Sequence, residues 1–176
     1  MILVLNVCRE RLHYFEFVKP IEDILKSEGF EFESFHYKEL GEDILKRADK
    51  VIICGTSLID NSFLEDIDSF SWLKNFEGRV LGICAGFQIL GLVFGGSLKK
   101  EKEIGFFRET FVEEFLGLID EVEVYHLHGN IVEFSSDWKI FNEGEIAHAV
   151  CRGNFYGVLF HPEVRNKEMI LRFAGL

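Results

Sequence analysis

Short apolar runs alternate with amphipathic segments through the first half of the chain. Residues 1–7 are almost wholly apolar, the pattern of a strand buried on both faces. From Pro20 the apolar positions return at helical spacing. Ile21, Ile24 and Leu25 share one side, acidic residues sit in the first turn, and Gly29 ends the segment. Residues 30–35 alternate apolar and polar, predicting a second strand, and 51–54 form a short β-branched run leading into Gly55. Ser62-Phe63-Leu64-Glu65 has the form of a capping box, after which Leu64, Ile67, Phe70 and Leu73 continue a helical pattern to Gly78. Residues 80–83 predict another buried strand, followed at once by a nearly all-apolar helix from about 86 to 94. Strand and helix in alternation argue for a parallel sheet covered by helices on both faces.

The second half changes character. Runs at 122–128 and 131–134 flank Gly129-Asn130, and runs at 145–152 and 155–161 flank Gly153-Asn154; both pairs suit tight hairpin turns. An amphipathic segment at 167–173 closes the chain. The expected fold is α/β: a central, mostly parallel sheet with antiparallel strands appended late, in one domain over residues 1–176.

Composition narrows the partners. Thirty acidic against nineteen basic residues give a net charge of −11, which disfavours a nucleic-acid backbone. The apolar stretches are far shorter than a membrane span. The first strand carries no basic leader, so the expected setting is the cytoplasm. The four cysteines, at 8, 54, 84 and 151, lack CxxC spacing, which points to core filling or chemistry rather than a zinc ribbon or disulfide framework. Glu, Lys, Ile and Phe are abundant and Gln occurs once, a bias in the direction of thermophiles.

The densest chemical signal is Gly82-Ile83-Cys84-Ala85-Gly86-Phe87-Gln88. A buried strand ends in Gly-x-Cys-x-Gly and a helix begins immediately, the arrangement of a nucleophile elbow. The helix N-terminus would favour the thiolate, the reactive form of the sulfur. Another strand ends in Phe160-His161-Pro162-Glu163. His161 can take a proton from the thiol and return it to a leaving amine, while Glu163 can fix the imidazole tautomer and stabilise the imidazolium.

These two motifs resemble those of the class I, or triad, glutamine amidotransferases. In that family Gly-x-Cys-x-Gly-x-Gln precedes a strand ending in Phe-His-Pro-Glu. Cys54-Gly55-Thr56 stands where the family usually has Gly-Gly-Pro, and Gly95-Gly96 with Glu103-Ile104-Gly105 resembles stretches that follow its nucleophile helix. The resemblance spans roughly residues 50 to 165 and implies a flavodoxin-like sheet. It further implies that Cys84 attacks the side-chain amide of L-glutamine to give a thioester, with His161 as base and then acid and Glu163 orienting it. Backbone N–H groups of Gly55 and Ala85 would form the oxyanion hole, and Gln88 would hold the substrate amide. The segment 125–130 looks like the family's Ser-His-Gly-Asp stretch, which places His128 at the glutamine pocket. Cys54, Thr56, Phe87 and Leu159 depart from the usual pattern.

No cofactor is expected, and no metal. His126 and His128 share a strand face, but no third ligand stands near them in sequence, and His36 and His148 carry no signal. Segment 6–19 reads as a charged loop near the active site, with Arg9, Glu10, Arg11 and His13 open to a partner or to solvent. The favoured function is a glutaminase domain or subunit that passes ammonia to a separate synthetase, with an exposed apolar patch near Cys84 for docking. The alternatives are a partner-independent γ-glutamyl amide or peptide hydrolase with the same triad, and a non-catalytic regulatory subunit. A cysteine-elbow relative of the intracellular protease and glyoxalase type is disfavoured, because such proteins usually lack the Phe-His-Pro-Glu ending.

Overall fold

Alternating side chains on the first strand divide the core in two. In the computed structural model, which describes residues 1–176, β1 (Ile2–Asn6) sends Ile2 and Val4 to one side of the sheet and Leu3 and Leu5 to the other, all essentially buried. β3 (Lys50–Ile53) and β4 (Arg79–Ile83) repeat this, with Ile52 and Leu81 facing one core and Val51 and Val80 the other. Apolar burial on both faces is what a parallel sheet sandwiched by helices requires. The remaining strands of the main sheet are β2 (Phe32–His36), β7 (Lys139–Ile140), β8 (Ala149–Arg152) and β9 (Phe155–Val158). Their order is β2-β1-β3-β4-β9-β8-β7; the first five strands run parallel, β8 runs antiparallel to β9, and β7 antiparallel to β8.

One face is covered by a helical run over 11–27 and by the helix Lys167–Gly175, through Phe17, Val18, Ile21, Leu25, Met169, Ile170 and Phe173. The other is covered by the helix Ala85–Val93 and by Phe63, Phe70 and Leu73. No helix is long and apolar enough to cross a membrane.

Three expectations are corrected. The charged segment 6–19 is mostly not a loop: helix begins at Arg11, nine residues before Pro20. It passes through a π-helical stretch, Tyr14–Val18, where the Lys19 N–H reaches back to the Tyr14 carbonyl. Pro20 has no N–H to give the Glu16 carbonyl, and the wider turn lies directly ahead of it. The Ser62 capping box does not form: Ser62 Oγ donates instead to Asp60 Oδ1 at 2.8 Å. The helix Ser62–Glu65 is brief, and the chain continues as a 3₁₀ helix over Ile67–Asn75.

Gly129-Asn130 is not a turn. Both residues lie inside the continuous strand β6 (Leu118–Glu133), which pairs antiparallel with β5 (Ser97–Phe115) as a separate two-stranded sheet. The reversal sits at Leu116-Gly117, both in the left-handed region (φ 49° and 89°), where Glu114 accepts the Gly117 N–H at 2.6 Å. The exposed, highly charged β5 gave no alternating signal, so β6 had no visible partner in the sequence. Gly153, by contrast, does turn β8 into β9, with φ 58°.

Candidate active site

Strands β1, β3, β4 and β9 end along one edge of the sheet, and each hands a segment to the same cleft. This is the carboxyl edge, where open α/β sheets place their ligand sites. Cys84 follows β4 directly. Its backbone is at φ 48° and ψ −96°, a conformation that costs an L-residue on the order of 1–3 kcal/mol. Its amide donates to the Val158 carbonyl at 2.8 Å and its carbonyl accepts from Gln88 at 3.1 Å, so the sheet and the following helix hold the strain in place. Two glycines make the turn possible. A Cβ on Gly82 would come within 2.5 Å of the Gly86 carbonyl oxygen, and one on Gly86 within 2.3 Å of the Ile53 carbonyl oxygen.

His161 and Glu163 follow β9. The His161 Nδ1–H donates to Glu163 Oε1 at 2.8 Å, and both side chains are 1% exposed. A carboxylate can only accept, so Nδ1 carries the proton, and Nε2 is left buried without a partner. The backbone N–H of His161 donates to the Tyr125 carbonyl at 2.8 Å, and Phe17 packs on the ring at 5.4 Å between centroids. Gly55 joins the two halves: a Cβ there would lie 2.6 Å from His161 Cε1 and 3.3 Å from Cys84 Cβ. The backbone N–H groups of Gly55 and Ala85 have no acceptor in the protein, the latter because it opens a helix.

Burial alone would push the His161 pKa down, but the Glu163 carboxylate and the Cys84 sulfur outweigh it and raise it well above the usual 6.5. A raised native value contributes stability that is fully present below pH 6.5 and lost as pH rises through that native value. Thermal midpoints measured from neutral into alkaline buffer should therefore fall. The fall should be shallower in Glu163→Gln, which lacks the main upward influence; parallel curves would refute the assignment.

The cleft beside Cys84 is lined by Thr56, Leu58, Ala85, Gln88, Leu127 and Gly129, among others, and its volume is about 10 Å³. That is room for about one water. The Cys84 thiol donates to the Leu127 carbonyl at 3.6 Å, and Gln88 Nε2 to the Asn130 carbonyl at 3.5 Å. A cavity of about 490 Å³ lies instead among Leu45, Trp72 and Phe76, at the amino ends of β3 and β4 and away from every group named above. The structure thus brings Cys84, His161, Glu163, Gly55, Ala85 and Gln88 together. His128 borders the cleft, but its imidazole is buried, with Nε2 2.9 Å from Glu103.

Sequence reasoning missed Asp60. Its carboxylate accepts from the Arg9 backbone N–H (2.7 Å), Thr56 Oγ1 (2.8 Å) and Ser62 Oγ (2.8 Å), tying the loops after β1 and β3 together at the cleft. Burial would raise its pKa, but these donors hold it below the usual carboxylate value. Nothing in the local sequence marks this residue, because the partner that joins the two loops, Arg9, lies 51 positions away.

The description glutamine amidotransferase class-I fits residues 13–173 of the chain. A glutamine-hydrolyzing GMP synthase of Thermotoga petrophila is 30% identical over 134 residues, which cover 70% of this chain but only 26% of that protein. The chain therefore spans about a quarter of the length of such a synthase. In Saccharolobus solfataricus, the matching glutamine-hydrolyzing GMP synthase is divided into subunits, and the matched one is 27% identical, with 70% of this chain and 72% of that polypeptide covered. The imidazole glycerol phosphate synthase subunit HisH of Haemophilus influenzae is 28% identical over 172 residues, covering 82% and 86%. Among solved structures, a Thermoplasma acidophilum protein assigned as a GMP synthase subunit shares the fold with a TM-score of 0.86 at 20% identity, covering 99% of this chain and 92% of that one. A glutamine amidotransferase from Thermotoga maritima does so with a TM-score of 0.74 at 22% identity, covering 99% and 80%.

Proposed function

The chain belongs to the class-I glutamine amidotransferase family, and from that premise we propose that residues 1–176 form one glutaminase domain that hydrolyses L-glutamine to glutamate and ammonia. The observation that carries this reading is the strained Cys84 backbone set beside a buried imidazole whose Nδ1 is held by Glu163 and whose Nε2 is free. Cys84 attacks the side-chain amide carbon, and the oxyanion forms against the N–H groups of Gly55 and Ala85, each worth about 2.7–4 kcal/mol in such sites. The thiol proton rests on His161, as its raised pKa favours, and passes to the departing ammonia, leaving a thioester on Cys84. Water, deprotonated by His161, then releases glutamate. Gln88, the single Gln of the chain, contacts the Asn130 carbonyl on the cleft wall, where it would meet the substrate.

The ammonia passes to a separate synthetase. Leu12 (77% exposed), Phe15 (57%) and Ile59 (86%) support a docking face, since they stand on the segments after β1 and β3 that Asp60 ties together beside the cleft. A cytoplasmic setting is in keeping with four free cysteines. The test is covalent labelling with a glutamine analogue bearing an electrophile at the amide carbon. One adduct, on Cys84, suppressed by glutamine and not by glutamate, is expected; an adduct elsewhere, or one indifferent to glutamine, would refute the reading.

A further inference from the structure

Three histidines and a glutamate drawn from three separate stretches of the chain meet next to the cleft. His126 Nδ1 lies 3.1 Å from His128 Nε2; His128 Nε2 lies 2.9 Å, His148 Nε2 3.0 Å and His126 Nδ1 3.6 Å from Glu103 Oε2. All four atoms fall within 4.8 Å of one another, and the three imidazole residues are 0–6% exposed. Four ligands about 2.05 Å from a tetrahedral zinc ion would stand about 3.3 Å apart. The observed spacings bracket that value.

Two of the three outward-facing nitrogens meet one carboxylate, while the third, His128 Nδ1, has no hydrogen-bond partner. His126 Nε2 is bonded to Glu109 Oε1 at 3.2 Å, and His148 Nδ1 lies 2.9 Å from the same oxygen. A proton on His126 Nε2 leaves a lone pair on Nδ1 of the neutral ring, so His126 Nδ1 and Glu103 Oε2 face each other at 3.6 Å as two acceptors. A cation between them removes that repulsion. Buried Glu109 and half-buried Glu103 supply the two negative charges that balance a dication, and a carboxylate behind a ligating imidazole is the usual support of such a site.

We propose that Glu103, His126, His128 and His148 bind one zinc ion, with Glu109 orienting two of the imidazoles. The ligand set suits zinc among the abundant divalent ions. Four protein ligands leave no open position, so the ion is structural. Each element places its ligand for a local reason. His126 and His128 share a face of β6, and Glu103 is paired opposite His128 just after a bulge in β5 that re-aims the strand. His148 comes from beyond the hairpin, its N–H held at 2.8 Å by Asn142 Oδ1. The ion would thus tie the β5–β6 hairpin to the main sheet. It would also fix Leu127, which lies between two of the ligands and whose carbonyl accepts the Cys84 thiol.

The test is metal binding and needs no catalytic readout. The full chain, stripped with chelator, is titrated with cobalt(II). One equivalent should bind with the intense visible bands of a tetrahedral ion and no sulfur-to-cobalt charge transfer, and zinc should displace it. Affinity should fall at least 100-fold in His148→Gln, and about 10- to 100-fold in Glu109→Gln, whose side chain is not a ligand. No binding by the wild-type chain, weak octahedral bands, or undiminished affinity in a folded His148→Gln would overturn the proposal. Should that variant fail to fold, the wild-type titration decides alone, since its spectrum reports both the geometry and the absence of thiolate ligands.

Discussion

Cys84→Ala is expected to lower glutamate release from glutamine by on the order of 10⁴-fold or more, to the level that binding and oxyanion stabilisation sustain alone. Neither of the two cysteines nearest the cleft can take over. Cys54 is fully buried, with a pKa raised well above the thiol range by burial, and Cys8 is likewise pushed up to about 12 by burial. The same position carries a stability prediction of opposite sign. The φ of 48° at residue 84 penalises any side chain, so Cys84→Gly should be more stable than Cys84→Ala by about 1 kcal/mol while equally inactive. Measured glutamate formation and chemical denaturation of both variants check this pair of expectations. Activity near wild type would remove Cys84 from the mechanism, and equal stabilities would show that the strain is relieved elsewhere.

Gly86→Ala is expected to be among the most damaging single-methyl changes in the fold. Its Cβ would sit 2.3 Å from the Ile53 carbonyl oxygen and 2.9 Å from Ile53 Cβ, a collision with the neighbouring strand rather than with a side chain that can swing away. The helix Ala85–Val93 would have to lift from the sheet, at a cost of about 3 kcal/mol. For a chain of this size that lowers the melting midpoint by roughly 6–12 °C. Activity should fall with it even below the new midpoint, since a displacement of about 1 Å in a reacting group costs on the order of 100-fold. Gly41→Ala is the control, because an added Cβ there meets nothing within 4 Å. A Gly86→Ala protein as stable and active as that control would show that the elbow is looser than its contacts imply.

The parallel half of the fold was legible because its strands are short, apolar runs bounded by glycines and followed by helical periodicity; β1, β3, β4 and the helix after Cys84 came out within a residue or two. The antiparallel hairpin was not. Residues 97–115 alternate charged and exposed side chains with little burial on either side, so periodicity had nothing to register. With β5 unseen, Gly129-Asn130 reads as a hairpin turn like Gly153-Asn154, although neither Gly129 nor Asn130 adopts a positive φ. The candidate nucleophile, histidine and glutamate could be read because local turns and strand ends deliver them as short motifs. Asp60, Phe17 and His148 could not. Their significance lies in partners 40 or more positions away, reached only after the sheet has assembled.

The near-absence of space beside Cys84 turns the thiol into a clock. Cys84 is only 4% exposed, so a bulky reagent would reach the sulfur in step with any parting of the walls around Leu58, Leu127 and Gly129. At low reagent concentration, modification proceeds in proportion to concentration and reports how much of the population is open at any instant. At high concentration each opening is captured, and the rate levels off at the frequency of opening itself. The height of that plateau, compared with turnover on glutamine, would tell whether bond-breaking or the parting of the walls sets the pace.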